Sequence, residues 1–280
     1  MGLGRRILLP YSPGGAGVEI TYWVIAGGGG AGRDDSFGTK FGGGGAGGVL
    51  TATVSVPTNE TLTATTIGAG GSYQTSSSAR GNAGNDTTFS STTLGTITAD
   101  GGGEGGGASS QNGGNGGSGG GGAGSGTGGI ATSGQGNNGG NSQGGNWSAG
   151  GGGKAATGTN TSNGGAGINI IYAKTNQTLA TEMFAYGGGS RQGASPYSAG
   201  LNGDGTSSDT GRNTTAGVSG EPYRGSGGRW QGGGGNSGSI LVRAPLANTA
   251  YSTSGTVIVA TDSNYRYFTM ASTGSAIAFY

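Results

Sequence analysis

Residues 21–30 read TYWVIAGGGG: a run of β-branched and aromatic residues that ends, without a turn, in four glycines. Taken with the two residues before it, 19–26 (EITYWVIA) has the composition of a strand packed on a pleated surface. The glycines that follow offer no side chain to pack. The same junction recurs in reverse at 42–56, where GGGGAGG runs into VLTATVSV. There Leu50, Ala52, Val54 and Val56 share one face and Thr51, Thr53 and Ser55 the other, which is the period of two expected of a half-buried strand. Weaker versions lie at 61–67 and 94–99, with Pro57, Thr58 and Asn59 as a turn between the second strand and the third. Near the C-terminus come SILVR (239–243), TVIVAT (256–261), YRYFTM (265–270) and AIAFY (276–280), and between the ends only 168–172 and 179–186 have the side chains for local apolar packing. No apolar stripe of period 3.6 has any length, so little or no α-helix is expected.

The chain has 280 residues, of which 75 are glycine and 6 proline, with 13 basic and 12 acidic side chains, no cysteine and no histidine. Glycine is thus several times its usual share of roughly 7 %, and Leu, Ile, Val and Phe together fall below the roughly 20 % on which an ordinary core draws. A collagen helix is excluded because the glycines cluster in threes and fours with no Gly-X-Y period. The near balance of charge, without a Lys/Arg cluster, argues against nucleic acid as a partner. Missing Cys and His remove disulfides, thiol nucleophiles, CxxC zinc sites and Ser-His-Asp relays. No apolar run approaches the roughly 18 residues of a membrane helix, and no signal-peptide pattern is present, so no membrane insertion is expected and synthesis in the cytoplasm is.

Just over half of 101–153 is glycine. A flexible linker would account for that composition, but not for strands bracketing it, for glycine runs after nearly every strand, or for Asn in place of Glu and Lys. Ordered glycine loses more backbone entropy than any other residue and needs dense hydrogen bonding in return. An extended helix of three residues per turn meets that need. It makes no internal hydrogen bonds, so every N–H and C=O points sideways to a neighbouring helix. The runs 42–45, 119–122, 150–153 and 232–235 are the expected interior pieces, with GGx repeats at the boundary and x facing outward.

The succession TYWVIAGGGG (21–30), GGGGAGGVL (42–50), IGAGG (67–71), GNAGNDTTF (81–89), ITADGGGEGGG (97–107), GGSGGGGAG (116–124) and GGGGNSGSILVR (232–243) resembles the glycine-rich domain of bacteriophage tail-fibre and receptor-binding proteins over roughly 20–243. That resemblance implies an all-β protein: a small β-sandwich made by the terminal strands around a polyglycine II lattice. The expected organisation is an N-terminal anchor arm (1–17), a glycine-rich domain (18–243) and C-terminal strands (244–280) packing on the same domain. It further implies a non-enzymatic virion component, a tail-fibre or tail-tip adhesin whose loops between glycine runs bind a host-surface protein or glycan. The arm would contact other virion or tail proteins, and a trimer is a possible assembly. The alternative is a structural appendage or assembly subunit that touches only other virion proteins.

Site candidates follow from residue chemistry. Tyr, Trp and Arg concentrate binding energy at interfaces, and Ser, Gly and Asn around them supply adaptable hydrogen bonds. Tyr73, Trp147, Tyr197 and Tyr223, with Arg191 and Arg224, are therefore the receptor-binding candidates; the competing reading is that each covers a lattice edge or a neighbouring copy, as Trp230 beside its glycine run does. Nucleotide binding is not expected: at this glycine content GxGxxG arises by chance on the order of five times, and in GGGGKA (150–155) Ala155 stands where a phosphate loop needs Ser or Thr. Asp34, Asp35, Asp204 and Asp209 sit in turn-forming sequence, where Asp bonds its own backbone. No catalytic, metal or cofactor residue is assigned.

Overall fold

The computed structural model describes residues 17–33, 40–72, 74–76, 78–109, 111–192, 198–199, 203, 224–228, 233–246 and 250–280, with the backbone alone at 191–192 and 198–199. Among these residues there is no helix. The strands are β1 (Val18–Ile25), β2 (Val49–Val56), β3 (Thr61–Thr66), β4 (Thr87–Ser91), β5 (Gly95–Ala99), β6 (Ile168–Ala173), β7 (Leu179–Phe184), β8 (Arg191–Gln192), β9 (Ser198–Ala199), β10 (Ser239–Pro245), β11 (Tyr251–Ser254), β12 (Val257–Thr261), β13 (Tyr265–Met270) and β14 (Ala276–Phe279). They form two five-stranded antiparallel sheets, β12-β13-β10-β1-β2 (the first) and β11-β14-β3-β4-β5 (the second), and two hairpins, β6-β7 and β8-β9.

Strand parity explains the packing. Ile20, Tyr22 and Val24 of β1 face the second sheet and are buried with Leu62, Phe89, Ile240, Val242, Phe268, Met270, Ile277 and Phe279. Fully burying side chains of this size contributes about 1.5–3 kcal/mol each. The residues between them, Trp23 and Ile25, point to the opposite face, where with Leu241 they meet Ile170, Tyr172 and Phe184 of the β6-β7 hairpin. This double coverage is why 22–26 is apolar throughout rather than alternating. The two sequence runs expected to pack locally are this hairpin.

Beyond Ile25 the chain leaves the sheet and enters the lattice, and its hydrogen bonds change period. Ala26, Gly29 and Gly32 donate to Gly48, Gly45 and Gly42; Gly27, Gly30 and Arg33 donate to Asn85, Asn82 and Ala79; Gly28 and Ala31 donate to Asn236 and Gly233. Each third residue thus returns to the same neighbour three residues further back, as an extended threefold helix requires. The carbonyls go elsewhere: those of Gly27 and Gly30 accept from Gly102 and Gly105, that of Gly28 from Gly71 and that of Gly29 from Gly228. Segment 26–33 therefore has six hydrogen-bonded neighbours, hexagonal packing with backbone in place of side chains. None of the glycines at 27–30, 42–45, 119–122 or 150–153 has a positive φ, so the helices are left-handed like polyproline II.

The lattice grows from one end of the sandwich. β1, β3 and β5 run out into 26–33, 67–72 and 100–107, and 42–48, 79–86 and 233–238 run back into β2, β4 and β10. Antiparallel strand pairs become antiparallel helix pairs without a break in pairing. The expected interior runs 42–45, 119–122 and 150–153 are buried, as are Gly233, Gly234 and Gly235, while Gly232 lies outside the described residues. The arm at 1–16 lies outside them too.

Candidate functional site

At about 3.1 Å per residue, the seven residues 26–32 carry the chain about 20 Å from the sandwich. At that far end the segments turn round. The turns there fall at 72–80 (residues 73 and 77 lie outside the described ones), 107–112 (likewise 110), 123–126, 142–148 and 161–163, each joining an outgoing helix to a returning one.

Polar side chains lock these turns to one another. Arg33 ends segment 26–33, and its Nη1 donates to the carbonyls of Gln74 (3.2 Å) and Thr75 (3.1 Å). Gln74 in turn donates from Nε2 to the Arg80 carbonyl at 2.7 Å and accepts the Ser76 N–H on Oε1 at 2.8 Å. Ser109 N–H reaches the Ser78 carbonyl at 2.8 Å, and the Arg80 guanidinium lies 3.0 Å from the Glu104 carboxylate. The Phe41 N–H donates to Ser148 Oγ at 3.0 Å, tying segment 42–48 to the turn that carries Trp147. The surface this makes is rich in hydroxyls and amides, on a base with little freedom to move. Such loops on a rigid scaffold are where binding residues concentrate.

Of the residues expected to bind, Trp147 is at this end. It is half-buried, and its carbonyl accepts from Gly124 N–H and from Ser142 Oγ, both at 2.9 Å. Tyr73, Tyr197 and Tyr223 lie outside the described residues; Ser72 and Gln74, which flank the first, stand in the 72–80 turn. Arg191 pairs with Ala199 through its backbone in the β8-β9 hairpin.

Arg224 is elsewhere, at the sandwich end of the lattice. Its carbonyl accepts the Ala185 N–H at 2.8 Å, and its guanidinium pairs with Glu182 of β7. Glu182 also accepts the Tyr172 hydroxyl at 2.7 Å and lies 3.3 Å from Lys174 Nζ. Burial pushes the Glu182 carboxyl up, but the Tyr172 hydrogen bond and the Arg224 and Lys174 charges outweigh it, and the net shift is downward. Lys154, in the run that superficially resembles a phosphate loop, donates from Nζ to the carbonyls of Val49 (3.0 Å) and Gly134 (2.7 Å), and burial pulls its pKa down. It is a strut between lattice and sheet.

Sequence reading missed the asparagines. Asn112 and Asn115 accept the N–H groups of Thr127 and Ile130 on Oδ1 at 3.0 and 2.7 Å, and Asn141 and Asn138 accept those of Gly128 and Ala131, both at 2.8 Å. Segment 126–131 lies at the edge of the lattice, and amide oxygens replace the helices it lacks there. The signal was visible in part: the members of each pair, Asn112 with Asn115 and Asn138 with Asn141, sit three apart, the period of the helix.

A family model described as a glycine-rich domain matches residues 11–245 of the chain. No curated protein matches it.

Proposed function

We propose that this chain, which belongs to the glycine-rich domain family, is a non-enzymatic bacteriophage virion protein, a tail-fibre or tail-tip adhesin that binds the host cell surface with the loop end of its lattice. The observation that carries the reading is the gathering of the turns at 72–80, 107–112 and 142–148 at the end remote from the sandwich, cross-tied by Arg33, Gln74 and Ser148. Turns held this firmly lose little entropy on binding. The phage setting rests on the resemblance of the strand-then-glycine succession to tail-fibre proteins. In this reading the arm at 1–17 joins other virion proteins, and a homotrimer is the natural assembly on a fibre.

The test is adsorption. Purified protein is expected to bind host cells and to compete with virions, and Trp147→Ala is expected to weaken that binding about tenfold or more, as for an interface anchor. Protein that neither binds cells nor competes overturns the adhesin reading in favour of a structural appendage contacting only virion proteins.

A further inference from the structure

The β6-β7 hairpin covers the outer face of the first sheet from the lattice end, at Ile25 and Leu241, to Ala260 and Tyr267, with Tyr265 packed at its margin. At the other end of the strands, Thr21 pairs with Arg243, and Arg243 with Tyr267, so one step outward Glu19, Pro245 and Tyr265 share a row. A groove of about 480 Å³ opens there, lined by Glu19, Pro245, Leu246, Ser263, Asn264 and Tyr265. Its size lies within the range of small-molecule sites, about 300–1,000 Å³.

We infer that this groove binds a neutral saccharide. The walls are set before any ligand arrives. Asp262 Oδ1 accepts the N–H groups of Asn264 and Tyr265, each at 2.7 Å, and its Oδ2 accepts the Tyr267 hydroxyl at 2.8 Å, which fixes the 262–265 turn. The Arg243 guanidinium lies 4.5 Å from the Tyr265 ring centre and 5.9 Å from that of Trp23, and donates to Thr21 Oγ1 at 3.2 Å, so the Tyr265 ring is held from behind.

The polar groups on the groove side are unspent. Among the described residues the Glu19 carboxylate, the Ser263 hydroxyl, the Asn264 amide and the Tyr265 hydroxyl have no hydrogen-bond partner. They offer both donors and acceptors around an apolar floor of Pro245 and Leu246. A sugar ring presents the complement: hydroxyls at its rim and C–H groups on its face. Arg243 offsets the Asp262 carboxylate, so the charge left on the groove side is that of Glu19, whose oxygens can accept sugar hydroxyls; Arg266 stacks on Tyr251 of the second sheet, on the opposite face. The groove is at the opposite end of the molecule from the loop end, and the inference does not rest on the attachment reading.

Titration of the labelled full chain with lactose, maltose and N,N′-diacetylchitobiose, followed by amide NMR, is the test. Saturating shifts are expected at Glu19, Ser263, Asn264 and Tyr265 with at least one of these sugars, with a dissociation constant on the order of 1 mM, as for a shallow open site. Glu19→Gln and Asn264→Ala are expected to weaken binding about tenfold each, the loss of one good hydrogen bond. The inference is overturned if no sugar shifts these amides in the wild-type chain, if shifts appear only in the 72–80 and 142–148 turns, or if magnesium or putrescine shifts the groove amides and the sugars do not. The wild-type titration decides the matter even where a variant fails to fold.

Discussion

A Cβ built on Gly44 would sit 2.0 Å from the Gly29 carbonyl oxygen, and one on Gly121 would sit 2.0 Å from that of Ala149. Neither neighbour is the tip of a flexible side chain, so the clash is relieved only by parting two backbones that are hydrogen-bonded to each other's surroundings. Gly44→Ala is expected to cost about 3 kcal/mol, the upper range for overpacking, read as a lowered urea midpoint. Gly134 is glycine for another reason: its φ is +77° and nothing lies within 4 Å of its Cβ position. Gly134→Asn, which tolerates that conformation, is expected to cost about 1 kcal/mol or less. Equal losses at the two positions would contradict a close-packed lattice. The asparagine edge makes a second test. Asn115→Ala leaves the Ile130 N–H without its acceptor and is expected to cost about 1 kcal/mol, while Asn115→Asp keeps the oxygen and most of the stability. The three-residue spacing of the asparagines is legible in the sequence, but their partners are not, because donor and acceptor belong to segments whose adjacency only the fold sets.

Among the elements, β1, β2, β10, β12 and β13 are legible because their side chains alternate or run apolar, and the structure places strands there. β4 (TTFSS) and β11 (YSTS) are not legible: the first has one large apolar residue, Phe89, and the second is exposed along its whole length. Both are strands because a neighbour pairs with them, β3 and β5 in one case and β14 in the other. The β6-β7 hairpin is held to the lattice by Glu182, and its titration follows from the downward shift. The folded carboxyl titrates below its ordinary 4.5, so the cluster's contribution is fully present above that value and is lost as pH falls through the lowered one. Glu182→Gln is expected to destabilise by about 2 kcal/mol at neutral pH, since the Arg224 guanidinium loses its Glu182 counter-charge at a site only partly buried. In acid the difference from wild type should shrink; a constant difference across the carboxylate range would show that the ion cluster contributes nothing.

For the whole molecule, glycine content decides what the core is made of. Side chains supply the cores between the two sheets and under the β6-β7 hairpin; backbone groups supply the lattice, and the continuity of strands into threefold helices joins them. The sequence announces both, since glycine runs begin where apolar runs stop. It does not announce which helix lies beside which, because every glycine run presents the same surface and only the strand order sorts them. The same limit applies to the candidate sites: Trp147 and Arg224 look alike in sequence, yet the fold sets the first at the loop end and pairs the second with Glu182. The groove at Glu19 and Tyr265 joins residues nearly the length of the chain apart.

Amide hydrogen exchange across 101–153 tests the lattice most directly, because a glycine-rich linker and a buried threefold helix differ there by orders of magnitude in rate. Slow exchange is predicted at Gly102, Gly103, Gly105 and Gly106 and from Gly117 through Gly122, whose N–H groups donate to carbonyls of neighbouring lattice segments. Exchange at random-coil rates over those residues would contradict the lattice and everything built on it.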